Sequence, residues 1–119
     1  MISTLNKRFG LLLISLLFFS GLMAQEAPFD VKAHYTKNIY SIQMRDGVKL
    51  FTVVYEPKDQ TKKYPILFQR TPYGVGPYGP DEYKSQLGHN ELLQKSGYIF
   101  VFQDVRGRYM SEGQFVDVR

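Results

Sequence analysis

From Asn38 onward the chain alternates. Tyr40, Ile42 and Met44 are separated by Ser41 and Gln43, the period-two spacing of a strand with one face against a core. Asp46-Gly47 follows, a turn dipeptide in which glycine accepts a positive φ at no steric cost. Val48 to Tyr55 then resumes a run rich in Val, Phe, Thr and Tyr, so the pattern predicts an antiparallel hairpin over residues 38–56. Further along the pattern changes. Ile66-Leu67-Phe68 and Tyr98 to Phe102 are uniformly apolar, which predicts strands buried on both faces, as in a parallel sheet covered by helices. Between them, Pro72, Gly74, Gly76, Pro77, Gly79 and Pro80 exclude regular structure. Glu82 to Ser96 is predicted to be helical, on a loose stripe of Tyr83, Leu87, Leu92 and Leu93 broken by Gly88, with Gly97 as its C-terminal cap. The order is hairpin, strand, loop, helix, strand. That order predicts the α/β class, an antiparallel hairpin leading through a βαβ crossover into a mostly parallel sheet.

The first residues follow another logic. Lys7 and Arg8 precede an apolar run from Leu11 to Phe19 interrupted only by Ser15, and small residues lead to Ala24. This predicts a signal peptide over residues 1–24, cleaved before Gln25. The apolar run from Phe9 to Ala24 falls short of the roughly 20 residues that span a bilayer, so no stable membrane anchor is expected after cleavage. The expected location is periplasmic or extracellular. Residues 25–37 show no clear periodicity and are expected to be a lead-in segment, loop or short helix. The chain has no cysteine, which removes both a lipid-bearing thiol and a disulfide framework. An exported chain of this kind must be held together by its core. The net charge of +4 falls close to balance once Lys7 and Arg8 are removed, too weak and too evenly spread to indicate a nucleic acid partner.

Candidate chemistry gathers where the two apolar strands run out, since open α/β sheets place their sites at the carboxyl ends of strands. Tyr73 follows the first of these strands, between Pro72 and Gly74. A phenol there can donate a hydrogen bond to a developing oxyanion, a contribution of about 2.7–4 kcal/mol to a barrier. It can equally be a loop aromatic that covers the core edge. The second strand leads into Asp104-Val105-Arg106-Gly107 and Ser111-Glu112-Gly113, charges of both signs that either orient a substrate or pair internally to fix the loop. Ser111 lacks the glycine two places before it that a nucleophile elbow needs. His34 and His89 have no second ligand at metal spacing and read as surface histidines. Gly74-Val75-Gly76-Pro77 lacks the lysine and helix start of a phosphate loop. No metal and no cofactor is expected.

Three ordered motifs carry a resemblance. Met44-Arg45-Asp46-Gly47-Val48-Lys49-Leu50, Arg70-Thr71-Pro72-Tyr73, and the run from Gly97-Tyr98 through Gln103-Asp104-Val105-Arg106-Gly107-Arg108 to Ser111-Glu112-Gly113 resemble the start of the X-Pro dipeptidyl-peptidase-like hydrolases. That group includes the cocaine esterase-like enzymes, and the likeness is nearest to its α-amino-acid ester hydrolases and glutaryl-cephalosporin acylases. It covers residues 38 to about 117. It implies an α/β-hydrolase domain with a Ser-Asp-His triad, a helical cap and a jelly-roll domain. It also implies that Tyr73 gives its hydroxyl to the oxyanion hole. The family's Gly-x-Ser-x-Gly elbow, its Asp and its His come later in chain order, so no nucleophile, acid or base is expected within this chain, and neither His34 nor His89 inherits the base role.

Two uniformly apolar strands need more neighbours than residues 25–119 supply. The expectation is therefore that residues 38–119 are the truncated N-terminal portion of an α/β-hydrolase domain. The parent would be a secreted serine hydrolase acting on a small ester or amide or a short peptide, and this piece alone would be inactive. The alternative is a small secreted non-catalytic binding module, with the nine tyrosines and nine phenylalanines building a recognition face. Oligomeric state is left open.

Overall fold

The computed structural model of the protein describes residues 26–117; the expected signal peptide, residues 1–24, lies outside them. A single turn of helix, α1 (Val31–His34), opens the fold, with the Asp30 side chain accepting the Lys32 N–H as its N-terminal cap. The chain passes straight into β1 (Tyr35–Gln43), turns, and returns as β2 (Lys49–Pro57). β3 (Ile66–Thr71), α2 (Glu91–Lys95) and β4 (Ile99–Asp104) complete the set. The sheet order is β1-β2-β4-β3. β2 is antiparallel to both β1 and β4, while β3 and β4 run parallel. The expected antiparallel hairpin feeding a parallel pair is therefore present. Among the described residues no helix is long and apolar enough to cross a membrane.

The hairpin is longer than its sequence pattern suggests. It begins at Tyr35 rather than residue 38: Tyr35 pairs with Pro57, and Tyr35 and Lys37 are the buried positions of β1. The face expected against the core is the outer one instead, since Tyr40 and Ile42 point away from Val53 and Tyr55 and are 47% and 41% exposed. Gly47, at φ 88°, makes the turn possible, and its N–H donates to the Met44 carbonyl.

One face of the sheet holds the core. Val53, Tyr55, Phe100 and Phe102 lie in register across β2 and β4, and Tyr35, Val31, Val75 and Leu87 close over them. Their rings meet mostly edge to face, Tyr35 on Phe100 at 5.9 Å and Tyr55 on Phe102 at 6.0 Å between centroids. Removing a ring such as Phe100 from water contributes roughly 1.5–3 kcal/mol. Much of the aromatic content is thus interior.

Two further expectations need correction. The stretch Glu82–Ser96 is not one helix; only Glu91–Lys95 is helical. The backbone donors upstream are taken by side chains instead, Lys84 N–H by the Tyr55 hydroxyl and Leu87 N–H by Gln94 Oε1. Asn90 then caps the short helix by accepting the Leu93 N–H, and Gly97, at φ 79°, terminates it as expected. The second correction concerns β3. Its apolar run is not covered on both faces: Leu67 turns toward the core, while Ile66 and Phe68 are 66% and 51% exposed.

Candidate active site

Both parallel strands deliver their carboxyl ends to the same edge of the sheet, because Thr71 and Asp104 are paired in register. The loops that leave them are joined immediately, the Val105 N–H donating to the Thr71 carbonyl at 3.1 Å. Tyr73 lies two residues beyond β3. Its backbone N–H donates to Thr71 Oγ1 at 3.1 Å, a tight local turn, and the preceding Pro72 carbonyl accepts Arg108 Nε at 3.2 Å. The main chain at Tyr73 is therefore held from both sides. Its side chain is free, 83% exposed. Beside it, Pro72, Val105, Arg106, Gln114 and Phe115 line an open groove of about 340 Å³.

A second tyrosine, Tyr78, does the opposite. It turns inward, its hydroxyl donating to Asp104 Oδ2 at 3.1 Å and accepting the Val75 N–H at 3.3 Å. Asp104 is fully buried and also accepts the Met110 N–H at 3.4 Å. Burial, and then the Asp104 charge, push the Tyr78 hydroxyl above the usual phenol range, so it stays protonated and keeps donating. The Tyr78 and Tyr109 rings stack at 6.3 Å and close over Gly74. Gly74 sits at φ 91°, and a Cβ there would come within 3.0 Å of the Tyr78 hydroxyl, so glycine is required next to Tyr73.

The polar block after β4 is an internal brace. The Ser111 hydroxyl donates to the Asp104 carbonyl at 2.7 Å and accepts the Phe51 N–H at 2.9 Å, which commits it to the backbone rather than to nucleophilic chemistry. Glu112 pairs with Lys49 through both backbone and side chain, continuing β2 after β4 has ended. Arg106 makes a forked pair with Asp46 at 2.7 and 3.2 Å, tying this loop to the hairpin turn. That guanidinium holds the Asp46 carboxyl below the usual carboxylate range. Gly107 lies against the chain it crosses: a Cβ there would collide with the Phe115 backbone nitrogen.

The structure does not bring the histidines to this edge. His34 stacks on Phe29 at 4.7 Å with Nδ1 against the Asp30 carbonyl, and His89 is exposed in the segment before α2. Among the described residues no group of three His, Asp or Glu side chains is arranged to hold a metal ion. What the edge offers chemically is one accessible phenol on a braced backbone, beside an open groove.

Two lysines that the sequence reading passed over belong to this architecture. Lys37, 8% exposed, donates to the carbonyls of Pro77, Gly79 and Glu82. Lys84 Nζ donates to the Gly76 carbonyl at 2.7 Å and sits 4.9 Å from the Phe102 ring centroid. Burial lowers both ammonium groups from the ordinary lysine range. The apolar alternation of Tyr40, Ile42 and Met44 pointed the other way, because Lys37 shares its face of β1 with Ser41 and Gln43.

Comparison with known proteins fits this geometry. The family described as X-Pro dipeptidyl-peptidase (S15 family) matches residues 46–119. The cocaine esterase of Rhodococcus sp. (strain MB1 Bresler) is 36% identical over 75 residues, which are 63% of this chain and 12% of that enzyme. Among solved structures, an α-amino acid ester hydrolase superposes with a TM-score of 0.59 at 35% identity, covering 81% of this chain and 16% of its own. An aminopeptidase from a marine sediment archaeon, Thaumarchaeota archaeon, gives 0.59 at 34% identity, with 82% and 17% covered. The chain thus spans less than a fifth of the length of each. It belongs to the X-Pro dipeptidyl-peptidase (S15) family of hydrolases, and its mixed sheet is the N-terminal part of their α/β-hydrolase-type fold.

Proposed function

We propose that this chain is the N-terminal portion of a secreted serine hydrolase that transfers the acyl group of a small ester, an amide or a short peptide to water. The printed activities of the relatives, esterase, ester hydrolase and aminopeptidase, share that chemistry. In this reading a serine elsewhere in the parent protein attacks the substrate carbonyl, an acyl-enzyme forms, and water releases the acid. Tyr73 donates its hydroxyl to the oxyanion of each tetrahedral intermediate. The observation that carries the role is the contrast at Tyr73 between a backbone pinned by Thr71 and Arg108 and a side chain open to the edge where the parallel strands end. A donor to a transient charge needs that combination, because its position must be fixed before the charge appears.

The test is Tyr73→Phe in the parent hydrolase. The expected result is a loss of about 10²–10³ in kcat with KM little changed, the usual cost of one oxyanion donor. Normal turnover would remove the role. Residues 25–119 alone should hydrolyse no ester, since the catalytic serine lies outside them in this reading; turnover by that segment, abolished by Tyr73→Phe, would overturn it. Export is checked separately: the mature protein should begin at Gln25.

A further inference from the structure

The loop that follows Tyr73 has a structural problem that its own residues solve only in part, through a turn bond from the Glu82 N–H to the Gly79 carbonyl at 3.3 Å. Between Gly74 and Tyr83 it carries Pro77 and Pro80, which have no N–H, and it forms no helix or ladder that would pair its carbonyls. Most of the remaining partners come from β1. Lys37 stands on the core face opposite Tyr55, and its ammonium donates to the Pro77, Gly79 and Glu82 carbonyls at 2.6, 2.7 and 2.6 Å. An ammonium has three donors, and all three are used. Glu82 contributes its carbonyl to this arrangement. The charge is therefore compensated largely by converging backbone oxygens, in the manner of a bound cation. The Lys37 backbone N–H adds a fourth link, to the Tyr83 hydroxyl at 3.1 Å.

We propose that Lys37 is a positioning residue for Tyr73: its three-point hold on residues 77–82 closes the loop, which seats Tyr78 on Asp104 and thereby fixes Gly74 and the tyrosine before it. This rests on the oxyanion reading of Tyr73 for its catalytic consequence, but not for the clamp itself. The chain of contacts is continuous. Pro77 and Gly79, two of the clamped carbonyls, flank Tyr78; the Tyr78 hydroxyl holds both Asp104 and the Val75 N–H, and the same hydroxyl, beside the Tyr109 ring, lies against Gly74. Lys84 has a narrower part, since it holds the single carbonyl of Gly76.

Two measurements test the proposal. The first is hydrogen exchange of the intact protein, comparing wild type with Lys37→Met, which keeps the stem and removes the donors, and with Lys37→Arg, whose planar fork cannot aim three donors at one converging set. Amides of residues 74–83 should exchange at least tenfold faster in both variants while β2 and β4 keep their protection. Unchanged loop protection, in both variants or in whichever one folds, overturns the clamp. The second is a double-variant cycle in the parent hydrolase with p-nitrophenyl acetate as probe. Lys37→Met should lower kcat about tenfold or more with KM within twofold, and should cost nothing further in a Tyr73→Phe background. Full additivity overturns the link to Tyr73. If Tyr73→Phe alone turns over normally, the oxyanion role fails, and the exchange result still decides whether Lys37 holds the loop.

Discussion

The two faces of the sheet are built from similar residues and end in opposite conditions. On one, Tyr35, Val53, Tyr55, Phe100 and Phe102 are all 6% exposed or less beneath the 72–90 segment. On the other, Ile66, Phe68, Tyr40 and Ile42 range from 41% to 66% exposed. Apolar composition therefore does not by itself say what is buried here. The difference lies in what covers each face. The inner one has a loop tied down by ammonium groups and buried tyrosines, and nothing among the described residues lies over the outer strands at β3. Even so, the outer face is not uniformly wet. Thr52 and Gln103 sit buried at its centre, with Gln103 Nε2 donating to Thr52 Oγ1 at 2.8 Å and Arg70 Nε donating to Gln103 Oε1 at 2.7 Å.

The comparison can be broken most directly at Phe100. Phe100→Ala empties the centre of the covered face and should cost about 3–5 kcal/mol, read as a lower urea midpoint. A loss under about 1 kcal/mol would mean that this face is not the core. A smaller effect is expected at Tyr35, whose hydroxyl donates to the Gln94 carbonyl at 3.1 Å from a fully enclosed position. Tyr35→Phe leaves that carbonyl unpaired and should cost about 1–3 kcal/mol near neutral pH. The same residue gives a pH signature. Burial, with Tyr64 adding to it, pushes the Tyr35 hydroxyl from 10.0 up to about 12. Between those values the unfolded chain has released a proton that the folded chain retains. Stability contributed by the neutral phenol is thus complete below pH 10 and is lost as pH rises toward 12. Tyr35→Phe should flatten that alkaline decline in a thermal-melt series; an unchanged slope would assign it to another group. The smallest effect belongs to the open face. Phe68→Ala should change stability by no more than about 0.5 kcal/mol, and a value near that of Phe100→Ala would show that the face is covered in solution.

How much of this could be read from the sequence varied with how local the cause was. The hairpin's strands and turn were legible because alternation and Asp46-Gly47 are properties of neighbouring residues, but which face of β1 is covered was not: Tyr40 and Ile42 lie on the open one. The hairpin's start was missed by three residues, since the buried positions there, Tyr35 and Lys37, share a face with the polar Ser41 and Gln43 rather than with Tyr40 and Ile42. The false helix over Glu82–Ser96 shows the converse. Its periodicity is real, but two side chains compete for its backbone donors: Tyr55, from a strand that no local pattern connects to it, and Gln94, from within the segment itself. The Pro-Tyr-Gly triplet makes the point most sharply. It occurs at 72–74 and again at 77–79, yet Tyr73 stands in solvent and Tyr78 is bonded to Asp104. Identical local sequence, different neighbour in space, different task. The position of Tyr73 after a strand was readable; the loop machinery around it was not, because it consists of contacts between residues forty positions apart.

The crossing at Gly107 has a consequence for how this protein can change. Between Asp104 and Phe115 the chain passes over itself with no room for a single methyl group, and it must still bring Ser111 and Glu112 back onto β2. Its length is therefore set to the residue. An insertion or deletion there would shift both partners out of reach at once. The exposed stretch from Asp59 to Lys63, in the connection of β2 to β3, carries no such double appointment: its hydrogen bonds run only to near neighbours, Pro57, Thr61 and Tyr64. Tags, linkers and lineage-specific additions have a tolerant place to enter at that connection, and a closed one beside Tyr73.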